Sequence, residues 1–270
     1  MSSVSYRDLT GSAAENYQRY FVPTIATAVS HALLHTADLR PGERVLDLAC
    51  GTGVITRAAA ERVGTTGTVT GVDLAPDMLE VARAVPVGDG AAPIEWRQAD
   101  AAHLPLPDDA FDIGLCQMGL MFMDDQPGAL RELCRVVKPG GRVVLNTPGP
   151  VHTVFATMEE ALTTHIDPGL AGFVGVVFSL HDPDTVAELL RAAGWQRVEA
   201  GTAVATFRLP PPATFLWQYL SVTPLAPAVQ RAPEAARAAM ERDITARWQP
   251  YVVDGGLVVE QSMVVARGRR

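Results

Sequence analysis

The chain has 270 residues, of which 48% are hydrophobic and 19% charged, and its formal net charge is −8. This composition is typical of a folded globular protein and excludes a disordered one. An acidic chain without a basic run is poorly suited to binding nucleic-acid phosphates, and no apolar stretch has the roughly 18–20 residues that a membrane-spanning helix needs. The N-terminal segment lacks the apolar core of a signal peptide, so we expect a cytoplasmic protein with neither a nucleic-acid nor a membrane partner.

Short apolar strands alternate with amphipathic helices along the first half of the chain. A helix is predicted over 13–38, because Ile25, Val29 and Leu33 fall on one stripe with a period of 3.6 residues. The pattern then predicts strand 44–49, helix 55–64, strand 68–74, helix 76–85, strands 94–99 and 111–117, helix 126–137 closed by "KPGG", and strand 142–147. This alternation is typical of a parallel sheet covered by helices on both faces.

The second half of the chain departs from this rhythm. Residues 148–180 carry no clean period, and "PPP" opens an insertion over 210–254. The remaining elements are predicted as helix 182–195, strand 197–209 and strand 257–267, and the terminal "RGRR" is expected to be a solvated end. We interpret the chain as a single α/β domain over 1–270. It is Rossmann-like and doubly wound, with a mostly parallel seven-stranded sheet and two excursions, 148–180 and 210–254.

The stretch "VLDLACGTGVIT" joins the first strand to the next helix through a loop of small residues. A dinucleotide fingerprint has the form Gly-x-Gly-x-x-Gly, but Thr56 stands where the third glycine belongs. A phosphate-binding P-loop is also excluded, because no Gly-Lys-Ser/Thr follows. What remains is Asp47 at the strand end and two glycines, Gly51 and Gly53, that let the backbone pass close to a ligand.

Two further acidic residues end the neighbouring strands. Asp73 ends the second strand, where a carboxylate suits two ribose hydroxyls because it accepts both hydrogen bonds. Asp100 ends the third strand, where a carboxylate can face an adenine amino group and would repel a pyrophosphate. Asp100 therefore counts against a nicotinamide dinucleotide.

Four segments carry a resemblance to a known family: "VLDLACGTG", "GVDLAPDMLEVAR", "QADAAHLPLPDDAFD" and "LRELCRVVKPGGRVVL". In this order and spacing they resemble the successive motifs of class I S-adenosylmethionine-dependent methyltransferases, in particular the group of quinone-biosynthesis and small-molecule methyltransferases. The resemblance covers about 44–147. It implies S-adenosylmethionine as cofactor, a cofactor-binding core over 44–147 and an N-terminal helical cover over 1–43. The placement of the two excursions after strands five and six, and their aromatic, Gly and Pro residues, predict helical lid insertions that bind the acceptor.

The resemblance also implies a role for individual residues. The loop next to the methionyl part of the cofactor holds Asp47, Ala49, Gly51, Thr52 and Gly53. The remaining contacts are Asp73 on the ribose, Leu74 and Met78 beside the adenine, Asp100 and the amide of Ala101 on the adenine edge, Gln117 near the sulfonium, and Tyr17 and Tyr20 on a helix over the cofactor.

Methyl transfer needs a base only when the acceptor must lose a proton. Of the six histidines, His152 is the best placed for that role, because it opens the first excursion just past the fifth strand. His31 and His35 have the spacing of a metal-binding pair, but no acid stands near them, so no metal is expected. The three cysteines are widely spaced, which predicts reduced thiols without a disulfide or zinc site.

The acceptor is predicted from what the sequence lacks. Methyltransferases that act on exocyclic amines of nucleic acids carry an Asp/Asn-Pro-Pro-aromatic stretch after the fourth strand, where this chain has "QMGL". Together with the acidic charge, this favours a small molecule. The excursions either cover the sheet or enclose an apolar, aromatic or polyketide-like acceptor with Phe155, Met158, Phe173, Phe178, Phe215, Trp217 and Tyr219. The same two roles are open for Met118, Met121, Phe122 and Met123, which follow the fourth strand.

Two other functions stay open at this point. A protein could bind S-adenosylmethionine with the same motifs and not methylate. A nicotinamide oxidoreductase is disfavoured by the missing third glycine and by Asp100. A monomer or a homodimer is expected.

Overall fold

The structure is a computed structural model and describes residues 11–270. Residues 1–10 of the predicted helical cover lie outside the described residues. The described chain divides into two compact units. The sheet unit holds Val29–Gly149, Ser179–Ala203 and Ser262–Arg270, and the helical unit holds the described residues up to Ala28 together with Pro150–Phe178 and Val204–Gln261.

A continuous helical segment runs over 13–37, as predicted, but its middle is not an α-helix. It consists of α1 (Ala13–Asn16), a π-helix (Tyr17–Ala26) and α2 (Thr27–Ala37). Ser12 and Glu15 cap the start of α1 with a reciprocal capping box. Pro23 lies inside the π-helix and has no N–H to donate. At the end of this helix the N–H of Thr27 bonds to the carbonyl of Val22, five residues earlier. The apolar stripe therefore predicted the helix but not its π-helical hydrogen bonding.

The strands of the described residues are β1 (Arg44–Leu48), β2 (Thr68–Asp73), β3 (Ile94–Gln98), β4 (Phe111–Gln117), β5 (Val137–Pro148), β6 (Gln196–Leu209), β7 (Val252–Val253) and β8 (Gly256–Arg269). Their order is β3-β2-β1-β4-β5-β8-β6, with β7 paired to β8. β1 to β5 run parallel, and β8 is antiparallel to β5. The Rossmann-like, mostly parallel seven-stranded sheet is confirmed, and the two-residue β7 raises the count to eight.

The remaining α-helices of the described chain are α3 (Val54–Val63), α4 (Pro76–Ala84), α5 (Gln126–Val136), α6 (Thr153–His165), α7 (Phe173–Val177), α8 (Pro183–Ala192), α9 (Pro212–Ser221), α10 (Ala226–Arg231) and α11 (Glu234–Arg247). Within the sheet unit, successive residues of β1 face opposite sides, as strand geometry requires. Val45 packs in a cluster with residues of α2 and α3, whereas Leu46 and Leu48 pack with residues of α5 and α8. The sheet of this unit is therefore covered on both faces, which leaves the strand ends as the places where a ligand can approach.

The helical character expected of excursion 148–180 is confirmed, whereas two other expectations about chain segments are wrong. Residues 148–180, which carry no clean period in sequence, contain α6 and α7. The buried residues Val154, Met158 and Leu162 of α6 recur every four residues, and this is the signal that the sequence reading missed. The "KPGG" segment lies inside β5, which begins at Val137, and Gly140 with a φ of 81° accommodates the bend there.

The second correction concerns the terminal "RGRR", which is not a solvated tail. It completes β8, where Arg267 pairs with Val144 and Arg269 pairs with Arg142 across the antiparallel ladder to β5. The guanidinium of Arg270 donates to the carbonyl oxygen of Arg135 over 2.9 Å. Backbone pairing therefore holds these arginines in fixed positions. In the part of the chain that the structure describes, no helix combines the length and apolarity needed to span a membrane.

Candidate cofactor site

The loop between β1 and α3 adopts a conformation that favours glycine. Ala49, Gly51 and Gly53 have φ angles of 55°, 54° and 84°. A residue with a Cβ pays about 1–2 kcal/mol for this left-handed region, so Ala49 is strained. Backbone strain of this kind concentrates at functional sites. The loop after β1 is thus held in a costly shape directly at the carboxyl edge of the sheet.

Asp47 is a buried carboxyl group beneath this loop. Its residue is 1% exposed, and it accepts a hydrogen bond of 2.5 Å from Oγ1 of Thr56 in α3. Burial raises the pKa of Asp47 to about 7, although the Thr56 hydrogen bond opposes the shift. The structure therefore places Asp47 where it joins the strand end to the helix behind the loop, and its direct contact with a methionyl group stays a prediction.

Asp73 connects the end of β2 to the glycine loop. One carboxylate oxygen accepts from the N–H of Gly51 over 2.7 Å, and the other accepts from the N–H of Ala75 over 2.9 Å. Burial raises the pKa of Asp73, and these two backbone hydrogen bonds oppose the shift. Each oxygen keeps further acceptor capacity for a hydroxyl. Next to it the apolar side chain of Leu74 is 67% exposed, which suits a flat apolar ring.

Asp100 lies two residues after Gln98, the last residue of β3. Because Asp73 pairs with Gln98 in the parallel β2–β3 ladder, Asp100 lies at the same carboxyl edge of the sheet as Asp73. It accepts a hydrogen bond from the N–H of Ala102 over 2.9 Å, which lowers the pKa of this exposed carboxyl. Among residues 11–270 the N–H of Ala101 donates to no partner. An ionised acceptor and a free donor therefore stand side by side, and this pair matches the amino group and ring nitrogen of an adenine edge.

Asn146 is a buried polar residue at the site that the sequence analysis did not identify. It lies in β5, is 1% exposed, and its Nδ2 donates to the carbonyl of Val29 over 3.0 Å. Its Oδ1 and its own carbonyl both accept from the N–H of Met118, over 3.1 Å and 3.0 Å. Met118 follows β4 directly and has a φ of 49°, so Asn146 holds a strained turn at the end of β4. A single amide inside the apolar run "VVLNTP" was the available signal.

Close packing requires glycine at two further positions of the site. A Cβ on Gly119, just after β4, would lie 2.5 Å from the Cβ of Ala49. The loops after β1 and β4 therefore touch. A Cβ on Gly53 would lie 2.3 Å from Cη2 of Trp96 in β3. Gly53 is thus required by the protein's own indole ring, and close approach of a ligand is left to Gly51.

Thr52 and Arg57 complete the loop. Nη1 of Arg57 donates to the carbonyl of Thr52 over 2.8 Å. Oγ1 of Thr52 is buried without a hydrogen-bond partner among the described residues. Gln117 and Met78 lie half-buried at the end of β4 and in α4. The residues predicted to bind the cofactor in the sheet unit thus share its carboxyl edge, and their individual contacts stay predictions.

The residues after β4 differ in burial, and a contact with the acceptor stays a prediction for them. Met121 is 4% exposed and belongs to the apolar core of the sheet unit. Met118 and Met123 pack against that core, whereas Phe122 is 54% exposed. Phe122 alone presents a large apolar side chain to solvent at this place.

His152 lies in the helical unit, where it caps α6. Its Nδ1 accepts from the N–H of Val154 over 3.2 Å. The centroids of the His152 and Tyr251 rings lie 5.0 Å apart in an edge-to-face arrangement. Burial lowers the pKa of His152. With Nδ1 accepting, the neutral ring carries its proton on Nε2, so a base role requires the cap bond to break. The base role stays a prediction.

The aromatic side chains of the excursions form a core within the helical unit. The rings of Phe155 and Tyr219 lie 5.5 Å apart, and those of Phe215 and Trp248 lie 5.6 Å apart. Trp217 is 3% exposed, and its Nε1 donates to Glu241 over 2.7 Å. In the same unit, Tyr17 stacks on Phe21 with ring centroids 4.7 Å apart, and Arg19 lies 5.9 Å from the Tyr20 ring centroid.

The described residues offer little for metal or thiol chemistry. No cluster of three or more His, Cys, Asp or Glu side chains that could hold a metal ion occurs among residues 11–270. Cys50 and Cys116 are buried free thiols. Burial raises the pKa of both, that of Cys116 to about 12. Neither thiol is a nucleophile near neutral pH.

Comparison with known proteins points to one family. Residues 46–145 match the family model described as "Methyltransferase domain". The ubiquinone/menaquinone biosynthesis C-methyltransferase UbiE of Ectopseudomonas mendocina is 35% identical over 179 residues, which cover 61% of this chain and 70% of that protein. The nocamycin O-methyltransferase of Saccharothrix syringae is 34% identical over 185 residues, which cover 63% and 65%.

The fold is shared with solved structures of the same kind. Phosphoethanolamine N-methyltransferase 2 of Haemonchus contortus, solved in complex with S-adenosyl-L-methionine, superposes with a TM-score of 0.57 at 18% sequence identity. The superposition covers 98% of this chain and 60% of that one. At this identity the likeness shows the fold alone.

Proposed function

This chain belongs to the class I S-adenosylmethionine-dependent methyltransferase family, and we propose that it methylates a small, apolar or aromatic molecule. It is an enzyme, and S-adenosylmethionine is its cofactor. The observation that carries the assignment of the site is the set of acids at one sheet edge. Asp73 is hydrogen-bonded to the glycine loop, and Asp100 stands beside the free N–H of Ala101. This set fits the ribose and the adenine edge of the cofactor, and the charge of Asp100 would repel a pyrophosphate.

The residues of the sheet unit act mainly by positioning. When bound, S-adenosylmethionine supplies an electrophilic methyl group on a sulfonium whose leaving group is neutral. Asp73 binds the ribose hydroxyls and Asp100 with Ala101 binds the adenine, while Gly51 lets the backbone approach the methionyl part. Asp47 and Asn146 act through the loops that they hold. Correct alignment of acceptor and methyl group is worth roughly 7–11 kcal/mol of the barrier.

The acceptor is proposed to be a small molecule. The relatives act, by their names, on a quinone precursor at carbon and on nocamycin at oxygen. These are small molecules with different acceptor atoms, so the atom that this chain methylates stays undefined. The formal charge of −8 and the "QMGL" segment after β4 support a small molecule over a nucleic acid. Exposed Phe122 offers a contact to an apolar acceptor.

We keep the excursions 148–180 and 210–254 as the proposed acceptor-binding lid, together with Tyr20 as a cofactor contact. A lid meets a chemical need, because water must be excluded while the acceptor is aligned. The support is their position in the chain after β5 and β6 and their many aromatic residues. A single functional domain, a cytoplasmic location and a monomeric or homodimeric state are part of the same proposal.

Product analysis tests the proposed function. The protein is incubated with S-adenosylmethionine and a panel of quinols, phenols and polyketide-like aromatics, and products are read by mass spectrometry. We expect one of them to gain the mass of a methylene group, with S-adenosylhomocysteine formed in equal amount. An Asp73→Ala variant serves as the control that binds the cofactor poorly. Methylation of nucleic acid or protein alone would overturn the proposed acceptor class.

A further inference from the structure

A cavity of about 720 Å³ opens on the sheet unit at the edge opposite to the cofactor loop. It is lined by the segment before β1, by the start of β4 and β5, by the start of β6 and by the end of β8. This edge carries the amino-terminal ends of parallel strands β1, β4 and β5 and the carboxyl-terminal end of antiparallel β8, whereas the cofactor site uses the carboxyl ends of the parallel strands. None of the residues assigned to the cofactor or the acceptor lines this cavity.

The lining is rich in cations, although the chain as a whole is acidic. Four carboxylates and six cationic side chains line the cavity, the latter being Arg40, Lys138, Arg142, Arg197, Arg267 and Arg269. Four of the cations are ion-paired: Arg40 with Asp38, Lys138 with Asp112, Arg142 with Glu43, and Arg267 with Glu199. Among residues 11–270, Arg197 and Arg269 are paired with no carboxylate. The cavity therefore holds two uncompensated guanidinium groups.

The position of Arg269 is electrostatically unfavourable in the described chain. Arg142 and Arg269 are direct partners across the antiparallel β5–β8 pair, and like charges in that arrangement destabilise a sheet. Arg142 is compensated, because it donates to both oxygens of Glu43 and to the carbonyl of Ala37. Arg269 reaches only the carbonyl of Gly140, at 3.5 Å. Arg267 lies two residues earlier in β8 and faces the same side.

We propose that this cavity binds a small molecule with several negative charges, carried by phosphate or carboxylate groups. A volume of about 720 Å³ falls in the range of roughly 300–1,000 Å³ that small-molecule pockets occupy. A bound anion would neutralise Arg197 and Arg269 with the bidentate hydrogen bonds that guanidinium groups make. It would also relieve the repulsion between Arg142 and Arg269.

Two of the existing ion pairs leave their cations available to such a ligand. The side chains of Arg40 and Asp38 are 73% and 75% exposed, and those of Arg267 and Glu199 are 53% and 65% exposed. Exposed pairs contribute only about 0–1 kcal/mol, so an anion with several charges can compete for the arginines. The pair of Arg142 and Glu43 is 15% exposed on both sides and is the fixed part of the cavity.

Isothermal titration calorimetry with tripolyphosphate and with citrate tests this inference. The titrations are done on the full chain at low salt, with the cofactor site saturated by S-adenosylhomocysteine. We expect heat from at least one probe, and the tighter probe tells whether phosphate or carboxylate is the preferred group. Arg197→Gln and Arg269→Gln should each raise the Kd roughly tenfold, which corresponds to about 1.4 kcal/mol. Rising salt should weaken binding.

Two further variants distinguish specific anion binding in the cavity from nonspecific attraction of anions to surface arginines. Glu199→Gln removes a competing carboxylate and frees Arg267, so it should bind the probe more tightly than the parent. Arg208→Gln removes an exposed arginine of β6 outside the cavity and should bind like the parent. The inference is overturned if neither probe binds, or if Arg208→Gln weakens binding as much as Arg269→Gln does. It is also overturned if an oligo-aspartate peptide binds to the protein while neither small anion does.

Discussion

The carboxylate of Asp73 accepts a hydrogen bond of 2.7 Å from the backbone N–H of Gly51. The residue that we assign to the ribose thus also holds the glycine loop in place. Its second oxygen is used in the same way by the N–H of Ala75. Replacing Asp73 should therefore weaken cofactor binding in two ways. The hydrogen bonds to the ribose are lost, and the glycine loop is no longer held by the carboxylate.

Asp73→Ala should weaken binding of S-adenosylhomocysteine by on the order of 2–3 kcal/mol, because charge-assisted hydrogen bonds are lost. Asp73→Asn should weaken it less, since the amide oxygen still accepts one of the two backbone hydrogen bonds. Calorimetric titration measures both affinities. Asp77→Ala, an exposed acid in the first turn of α4, is the matched control and should bind like the parent. Parental affinity in both Asp73 variants would remove Asp73 from the ribose site.

Gly53→Ala should destabilise the fold by more than the cost of its backbone conformation. Gly53 and Gly172 both have left-handed backbone, with φ of 84° and 101°, but only Gly53 faces Trp96, because nothing lies within 4 Å of a Cβ at Gly172. Gly172→Ala should therefore lose only the roughly 1–2 kcal/mol of left-handed strain. Gly53→Ala should lose more, and Trp96→Leu in the same chain should recover part of the difference. Urea unfolding measures all three, and equal losses at both glycines would contradict the Trp96 contact.

The order of the elements in the sheet unit was predictable from the sequence, because each parallel strand is a short apolar run and each helix carries an apolar stripe. Asp47, Asp73 and Asp100 were located correctly at strand ends for the same reason. Their hydrogen bonds were not predictable, since the bond between Asp73 and Gly51 depends on backbone positions that no local pattern encodes. Asn146 was missed because its partners, Met118 and Val29, are distant in sequence.

The bounds of the helices in the excursions were harder to predict for a different reason. Their aromatic residues are buried against one another, as Phe215 is against Trp248, and these contacts join residues that are distant in sequence. The terminal arginines were misjudged because charge suggested solvent. Backbone hydrogen bonding to β5 fixes their position instead. Polar side chains at the end of a strand do not oppose this backbone pairing.

Replacements of His152 distinguish a base from a helix cap. Asparagine is a good N-cap residue, whereas alanine is not and costs about 1 kcal/mol of stability. If the capping role dominates, His152→Asn should keep the parental melting temperature and turnover, while His152→Ala should lower the melting temperature. If His152 is the base, both variants should lose turnover. The turnover of the parent should then fall toward low pH, because protonation removes the base, and the residual turnover of the variants should not. The two outcomes are read from melting curves and from initial rates with saturating acceptor.

Asp47 should make the stability of the protein fall as pH rises toward neutrality. Burial raises the pKa of its carboxyl to about 7 in the folded chain from the ordinary value of 3.8. Between these values the folded chain holds a proton that the unfolded chain has lost. The free energy of unfolding therefore decreases with rising pH in this window, by at most about 1.4 kcal/mol per pH unit from this group. Above the folded pKa the contribution is gone.

Asp47→Asn should remove this slope, because the amide does not titrate and its oxygen still accepts the hydrogen bond from Thr56. Urea denaturation at several pH values between about 4 and 8 measures the effect. The stability of the variant relative to the parent should rise up to about pH 7 and level off above it, with a normal m-value. Asp100→Asn is the control, because the Ala102 N–H lowers the pKa of that exposed carboxyl and any effect should be confined to acid pH. Parallel profiles for the parent and Asp47→Asn would mean that Asp47 is ionised in the folded protein at neutral pH, and a partner for its charge would then have to exist.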